Sequence, residues 1–166
     1  MNITIRNARP ADVPDIVEML TKGLEGNKDL SEKYIRDVQA QYPESFKNII
    51  TDENTTHYIV QQDNKTVGLA CITPPQDEDI SDDYYQFHNL VFHPDYDNDD
   101  IYKIAINLIF DTIRSLGKTA TFVWVWEKNI KGIKRYEECG FTADGKTKVF
   151  EMFENSFNGI RMKRDL

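Results

Sequence analysis

The chain has 166 residues, which is enough for one domain with a sizeable core and too few for two. Hydrophobic residues make up 40% and charged residues 29% of it, a composition typical of folded globular proteins and not of disordered or fibrous ones. The 28 acidic and 20 basic side chains give a formal net charge of −8. Because this charge repels phosphate backbones, we expect no nucleic-acid partner and favour a cationic one.

The sequence also argues against export, membrane insertion and a disulfide framework. Charged side chains from Arg6 to Glu18 interrupt the first 20 residues, so these residues lack the apolar centre of a signal peptide. No stretch approaches the ~20 apolar residues of a membrane span. Cys71 and Cys139 are far apart and form no CxxC motif, so we expect two thiols in a cytoplasmic protein that has no membrane partner.

Hydrophobic periodicity predicts seven strands and four helices in the order β-α-α-β-β-β-α-β-α-β-β. The predicted strands are Ile3–Asn7, Thr56–Gln61, Thr66–Ile72, Tyr84–Phe92, Thr119–Trp126, Lys146–Phe153 and Gly159–Lys163. The predicted helices are Val13–Leu24, a stretch from the Ser31 cap to Ile50 that Pro43 interrupts or kinks, Ile101–Leu116 and Ile130–Glu138. This order predicts one α+β domain over residues 1–166, with a mixed central sheet and helices on both of its faces.

Glycines and short polar segments mark the ends of these elements. Gly26, Gly117 and Gly140 follow predicted helices, and Gly140 occupies the left-handed position that commonly lies just past a helix C-terminus. The segment Gln62–Lys65 separates two strand patterns and predicts an antiparallel hairpin.

The segment after the strand that ends at Trp126 contains two polar side chains that are candidates for a functional role. A strand followed at once by a helix forms a corner at the carboxyl end of the strand, where open sheets bind ligands. Asn129 is able to cap this helix, to point its amide into the crevice, or to do both. Tyr136 lies about two turns into the helix, and its neutral phenol is able either to donate a proton or to pack on the sheet.

The chain resembles the GNAT superfamily of acyl-CoA-dependent N-acetyltransferases, and the resemblance extends over nearly all of it. The motif is carried by Asn129, Gly132, Tyr136 and the Gly140-Phe141 pair, following the strand Val-Trp-Val-Trp. The opening segment Ile5-Arg-Asn-Ala-Arg-Pro-Ala-Asp12 and the hairpin from Tyr58 to Gly68 match the family's first three strands.

The resemblance implies transfer of an acetyl group from acetyl-CoA to a primary amine of a small molecule or peptide. It implies that Tyr136 protonates the departing CoA thiolate and that Asn129 lies at the cofactor crevice. It also implies that backbone N–H groups near Leu90, Val91 and Phe92 polarise the thioester carbonyl. Dimers through sheet edges are common in this family, so a homodimer is a further expectation.

The phosphate-binding loop departs from the family's pattern of Arg or Gln, two residues, Gly, one residue, and Gly or Ala. The corresponding segment is Asp97-Asn98-Asp99-Asp100-Ile101-Tyr102, in which Asp97, Asp100 and Tyr102 replace the three signature residues. Two like charges about 5 Å apart repel by about 3 kcal/mol at an effective dielectric of about 20, which opposes a pyrophosphate. A helix that caps itself with these carboxylates admits CoA only if the loop rearranges. Two alternatives therefore stay open: an acetyl-CoA-dependent acetyltransferase, or a GNAT-fold binding or regulatory protein that has lost acetyl-CoA.

The identity of the general base in the predicted reaction also stays open. Many members of the family carry a glutamate where this chain has Gln86, and a carboxamide is unable to take a proton. His88 lies two residues further along, on the same face of the predicted strand, and an imidazole is able to act as a base. The alternative is that His88 is a strand histidine held by hydrogen bonds.

Two acidic segments have both a functional and an ordinary interpretation. The acids between residues 77 and 83 form either an acidic mouth for a cationic amine or a solvated run of charge; they are Asp77, Glu78, Asp79, Asp82 and Asp83. The alternating Asp95, Asp97 and Asp99 resemble the start of a calcium loop. Asp100 stands where that loop needs glycine and Ile106 where it needs glutamate, so we predict no metal site.

Overall fold

The computed structural model describes residues 2–25, 31–52, 54–152 and 155–166. The helices are α1 (Val13–Glu25), α2 (Glu32–Ile50), α3 (Asp99–Ser115) and α4 (Ile130–Glu138). The strands are β1 (Ile3–Asn7), β2 (Thr56–Gln62), β3 (Lys65–Thr73), β4 (Tyr84–Phe92), β5 (Ala120–Trp126), β6 (Thr142–Met152) and β7 (Asn155–Asp165). The predicted order of strands and helices is confirmed. In the described part of the chain, each helix is too short or too polar to cross a membrane.

The seven strands form one mixed sheet in the order β1-β2-β3-β4-β5-β7-β6, which confirms the α+β class. β4 pairs with β5 in parallel from Tyr84 to Gln86, whereas the β1–β2, β5–β7 and β6–β7 pairs are antiparallel. Contacts group the chain into two compact units, a first of residues 1–71 and 89–108 and a second of residues 72–88 and 109–166.

The core of the first unit forms between the paired helices α1 and α2 and the strands β2 and β3. One apolar face of α1 supplies three buried side chains, as its helical spacing predicts. The cluster consists of Val13, Ile16, Met19, Phe46, Ile59 and Leu69. The Ser31 hydroxyl accepts a hydrogen bond from the Tyr34 backbone N–H at 3.1 Å, so the predicted cap of α2 is confirmed.

The second unit is built on β5, whose seven residues all pair with β7, from Ala120 opposite Asp165 to Trp126 opposite Gly159. Aromatic and branched side chains fill its interior, as expected for a strand covered on both faces. Those that are almost wholly inaccessible to solvent include Phe87, Phe110, Phe122, Phe141, Ile109, Ile113 and Met162.

Most differences from the predicted elements lie at their ends. α2 continues through Pro43 without a break, and its C-terminal half still contributes the buried Phe46. β6 begins at Thr142 and not at Lys146, because a bulge between Ala143 and Thr147 disturbs the alternation on which the prediction relied. Gly26, the predicted stop of the first helix, lies outside the described residues.

The β2–β3 hairpin turns through two residues and not four. Asp63 and Asn64 have φ values of 49° and 68°, the left-handed conformation of a type I′ turn. Asn and Asp tolerate this conformation better than most residues, which accounts for their presence at the turn.

Gly68 in β3 allows the ring of Phe92 to lie directly on the backbone. A Cβ atom at this position would come within 2.7 Å of Phe92 Cδ1 and 2.9 Å of the Val91 carbonyl oxygen. One of these contacts is with backbone, so the chain is unable to relieve both by rotating a side chain. Any side chain at position 68 would therefore push the end of β4 away from β3.

We predict that Gly68→Ala lowers the free energy of unfolding by about 1–3 kcal/mol, the usual cost of overpacking. The matched control is Gly23→Ala in α1, where an added Cβ meets nothing within 4 Å. The control should raise the free energy of unfolding by up to about 1 kcal/mol, because alanine favours helix. Urea unfolding of both variants measures the difference, and equal stabilities would contradict the prediction.

Candidate active site

The end of α4 is closed by a Schellman motif, which fixes the position of Tyr136. The Phe141 N–H donates to the Tyr136 carbonyl oxygen at 3.0 Å, and the Gly140 N–H donates to the Glu137 carbonyl oxygen at 2.9 Å. Gly140 has φ +84°, as predicted for the residue just past the helix. The chain therefore reverses immediately after the turn of helix that carries Tyr136.

The ring of Tyr136 is clamped between two phenylalanines. Its centroid lies 5.4 Å from that of Phe141 and 6.1 Å from that of Phe87, both in edge-to-face geometry. Only 7% of the residue is exposed. The ring is thus positioned by packing against β4 and against Phe141, the residue just before β6, as a group that must present its hydroxyl in one direction requires.

Asn129 caps the N-terminus of α4. Its Oδ1 accepts a hydrogen bond from the Gly132 N–H at 2.9 Å. Of the two roles predicted for Asn129, the structure therefore shows the helix cap. A Cβ at position 132 would lie 2.5 Å from Asn129 Nδ2. Gly132 is therefore the small residue that leaves room for the cap, a role that the spacing of the motif alone did not reveal.

The end of β4 belongs to the first unit and is packed tightly. Leu90 and Phe92 are buried, and Val91 packs against the core between α1, α2 and β3. The Phe92 ring, which rests on Gly68, also contacts the ring of Tyr102, with centroids 6.3 Å apart. Tyr102 is itself buried, so its ring is a core residue of α3.

The N-terminus of α3 is capped by the chain itself. Asn98 Oδ1 accepts a hydrogen bond from the Ile101 N–H at 3.0 Å, and the Asn98 carbonyl accepts one from the Tyr102 N–H. Asp99 and Asp100 are the first two helical residues and are exposed, two positions earlier than the predicted start. Carboxylates at a helix N-terminus stabilise the helix through its dipole, and they repel an anion that would bind at the same position.

Asp97 ends the short 3-10 turn Pro94–Tyr96, and its N–H donates to the Pro94 carbonyl oxygen. In the described part of the chain, no group of three or more His, Cys, Asp and Glu side chains is arranged to hold a metal ion. The segment from Asp97 to Tyr102 is thus a compact acidic helix start.

His88 is hydrogen-bonded through both ring nitrogens. Its Nε2 lies 2.7 Å from Thr73 Oγ1, and its Nδ1 lies 3.3 Å from Gln86 Nε2. The contact with Gln86 agrees with the expectation that both side chains share one face of β4. Desolvation by the surrounding protein lowers the pKa of the imidazole below its ordinary value, although the residue is exposed to solvent. The partner on β3, Thr73, was not predicted.

A second group that the sequence did not reveal surrounds Arg161 on β7. Its side chain is 2% exposed and binds three carboxylates. Both oxygens of Asp79 accept from it at 2.7 Å, Asp144 accepts from Nε at 2.8 Å, and Asp77 accepts at 3.1 Å. The Trp124 indole N–H also donates to Asp77, at 2.9 Å. We call these five residues the Arg161 cluster.

The Arg161 cluster changes the interpretation of the acidic segment between residues 77 and 83. Hydrogen bonding from Arg161 holds the pKa of Asp79 well below its usual range, and the bonds to Asp79, then Asp144 and Asp77, raise that of Arg161. Burial raises the pKa of Asp144, but hydrogen bonds from the Lys146 N–H, Arg161 and Lys163 outweigh it. For Asp77 and Asp79, the interpretation as a freely solvated run is therefore wrong.

An open groove of about 430 Å³ lies beside the cluster, between loop residues 76–79, Trp124 and residues 146–148 of β6. Lys146 Nζ lies 3.3 Å from Asp79, and Lys148 Nζ lies 4.0 Å from Asp77. Lysines thus face the same carboxylates that Arg161 binds. The lysines balance the negative charge of the groove. The groove therefore does not match the acidic mouth for a cationic amine that the sequence suggested.

We predict that Arg161→Met lowers the free energy of unfolding at pH 7 by about 1–3 kcal/mol, because it removes the buried cation that three carboxylates share, which the neighbouring lysines replace only in part. The depressed carboxyl pKa values contribute stability above pH ~4 that is lost as the pH falls through the folded-state values. The difference between the variant and the natural chain should therefore shrink as the pH is lowered toward about 3.

Thermal and urea unfolding across this pH range measure the effect. Arg36→Met is the matched control, because the Arg36 side chain is 68% exposed and pairs with an exposed Glu32. The control should change stability by less than about 1 kcal/mol at any pH. An Arg161 variant as mild as the control would show that the cluster contributes little.

Comparison with known proteins supports one family. The sequence model of the acetyltransferase (GNAT) family matches residues 24–141, more than half of the chain. This range includes β4, the acidic helix start and the whole of α4. No curated protein matches the sequence.

Solved structures share the fold at low sequence identity. The PaiA N-acetyltransferase from Thermoplasma acidophilum, in complex with coenzyme A, has a TM-score of 0.75 at 19% identity, with all of both chains covered. A probable acetyltransferase from Staphylococcus epidermidis has a TM-score of 0.77 at 13% identity and 99% coverage of both chains. A chimera of the spermidine N-acetyltransferase SpeG from Vibrio cholerae with hSSAT has a TM-score of 0.72 at 18% identity, covering 98% of this chain and 95% of that one. Together with the family match, these findings show that the chain belongs to the GNAT acetyltransferase family.

Proposed function

We propose that this protein is an N-acetyltransferase that moves an acetyl group from acetyl-CoA to a primary amine of a small molecule or peptide. The observation that carries the proposal is the position of Tyr136, on the last turn of a helix closed by Gly140 and Phe141. This is the family's motif, and the packing of the ring against Phe87 and Phe141 suits a proton donor that must be held in place.

In the proposed reaction, the attacking amine nitrogen first loses its ammonium proton to solvent. The neutral nitrogen then attacks the thioester carbonyl, a C–N bond forms and the C–S bond breaks. CoA leaves as a thiolate and takes the phenolic proton of Tyr136. The second proton lost by the attacking nitrogen goes to the imidazole of His88, because desolvation lowers its pKa and so favours the neutral form that accepts a proton. Proximity of the bound reactants supplies much of the rate enhancement.

A cationic amine is the acceptor that we favour. The net charge of −8 raises the local concentration of cations and slows the approach of anions. One of the proteins with the same fold is named as a spermidine N-acetyltransferase, so polyamines are suitable first probes. The groove beside Trp124 contains both carboxylates and lysines, so its charge gives no reason to place the cationic amine there.

We predict that Tyr136→Phe lowers turnover at least tenfold, because it removes the proton that the leaving thiolate needs. The ring contacts with Phe87 and Phe141 do not involve the hydroxyl, so the fold should remain. Release of free thiol from acetyl-CoA, with a panel of polyamines and small primary amines, measures turnover.

Tyr58→Phe is the matched control, since Tyr58 is also buried but lies on β2. Its turnover should equal that of the natural chain. Full activity of Tyr136→Phe would exclude the proposed role of Tyr136.

A GNAT-fold protein that has lost acetyl-CoA is the second candidate, and the start of α3 favours it. Asn98 already occupies the Ile101 N–H, and the exposed Asp99 and Asp100 follow it. These residues do not fit the anion site that a pyrophosphate needs. We therefore expect acetyl-CoA to bind weakly, and to bind more tightly when salt screens the carboxylates.

We predict that Asp99→Asn and Asp100→Asn each tighten acetyl-CoA binding about two- to fivefold, as expected for exposed charges. Isothermal titration calorimetry at low and high salt measures the change. Asp111→Asn, at an exposed position further along α3, is the control and should leave the affinity unchanged. An absence of binding at millimolar acetyl-CoA, in the natural chain and in these variants, would leave only the second candidate.

A further inference from the structure

Thr73, Gln86 and His88 form a hydrogen-bonded group within the second unit, in which Thr73 and Gln86 are buried and His88 is exposed on one side. Thr73 ends β3, and Gln86 and His88 lie two residues apart on β4. Thr73 and Gln86 are 7% and 8% exposed, so water competes little for their polar atoms. They are the hydrogen-bond partners that the structure gives His88 among the described residues, one at each ring nitrogen.

The chemistry of the carboxamide decides which ring nitrogen carries the proton. Gln86 faces His88 Nδ1 with its amide nitrogen, which only donates hydrogen bonds. His88 Nδ1 must therefore accept and carry the lone pair. A neutral imidazole has a single N–H, which must then lie on Nε2 and donate to Thr73 Oγ1 at 2.7 Å.

The other protonation states leave one contact unsatisfied. With a proton on Nδ1, in either the second tautomer or the imidazolium, two donors would face each other across 3.3 Å. Both partners are also uncharged, so neither stabilises an imidazolium by opposite charge. The burial that lowers the pKa of His88 acts in the same direction.

We propose that Thr73 and Gln86 are positioning residues that hold His88 neutral, with its proton on Nε2 and its lone pair on Nδ1. For Nδ1 to take a proton, the Gln86 carboxamide must then turn over so that Oε1 accepts the new N–H. This inference rests on the proposed function for its catalytic meaning, because it identifies Nδ1 as the atom that accepts the amine's proton. It also gives a reason for glutamine at position 86: a carboxylate beside Nδ1 would convert the base into its charged form.

The protonation state of the ring is measured directly by long-range 1H–15N NMR of 15N-labelled protein near pH 7. The chain has three histidines, so the His88→Asn variant assigns the signals of His88. We expect one protonated nitrogen, Nε2, and one unprotonated nitrogen, Nδ1. A ring protonated on Nδ1, or an even mixture of tautomers, would overturn the inference without the need for any further variant.

Gln86→Glu tests the role of the carboxamide. The new carboxylate should accept from an Nδ1–H, so both ring nitrogens should be protonated near neutral pH and the titration midpoint of His88 should rise by about 1–3 pH units. Thr73→Val removes the acceptor for the Nε2–H but leaves the Gln86 donor at Nδ1, so Nε2 should remain the protonated nitrogen. Gln61→Glu, a half-buried position on β2, is the matched control and should leave the His88 signals unchanged. An unchanged His88 spectrum in Gln86→Glu would contradict the proposal.

Kinetics separates this inference from the proposed function. If His88 is the base, the acid limb of kcat/KM should move upward in Gln86→Glu by the same amount as its NMR titration. If the limb stays in place while the NMR midpoint moves, His88 is positioned as proposed but is not the base. A failure to acetylate any amine would end the proposed function, and the NMR result would still decide the state of His88.

Discussion

The second unit depends on the charge balance around one buried guanidinium. Arg161 projects from β7 and is bound by carboxylates from two segments that are distant in sequence, the loop after β3 and the start of β6. A buried cation without these partners would be costly, and the carboxylates without the cation would repel one another. The loop between β3 and β4 is therefore fastened on one side to β6 and β7.

Hydrogen bonds to backbone carbonyl oxygens hold the other end of the same loop. The N–H groups of Thr119 and Ala120 both donate to the Asp83 carbonyl oxygen, and the Lys118 ammonium donates to that of Asp82. β4 begins at the next residue and pairs at once with β5. The ion pairs thus help to set the register in which Gln86 and His88 enter the sheet, and a registry role is the best-attested use of buried polar groups.

The sequence predicts well what depends on neighbours along the chain and poorly what depends on distant contacts. The element order, the Asn129 cap, the left-handed Gly140 and the shared face of Gln86 and His88 all follow from spacings of a few residues. The partners of Arg161 are 17 to 84 positions away, and Thr73 lies 15 positions from His88. The acidic start of α3 is evident from its composition. The sequence does not show that Asn98 accepts the cap hydrogen bond from the Ile101 N–H, because this contact depends on the backbone conformation. The homodimer remains a prediction.

The bulge in β6 affects how this chain behaves at high concentration. β6 is the last strand of the sheet, and an outer strand with free N–H and C=O groups is a template for open-ended stacking of chains. Here the irregularity between Ala143 and Thr147, with Gly145 at φ +83°, breaks the straight row of backbone groups. The hairpin therefore limits fibrous self-association while it completes the sheet.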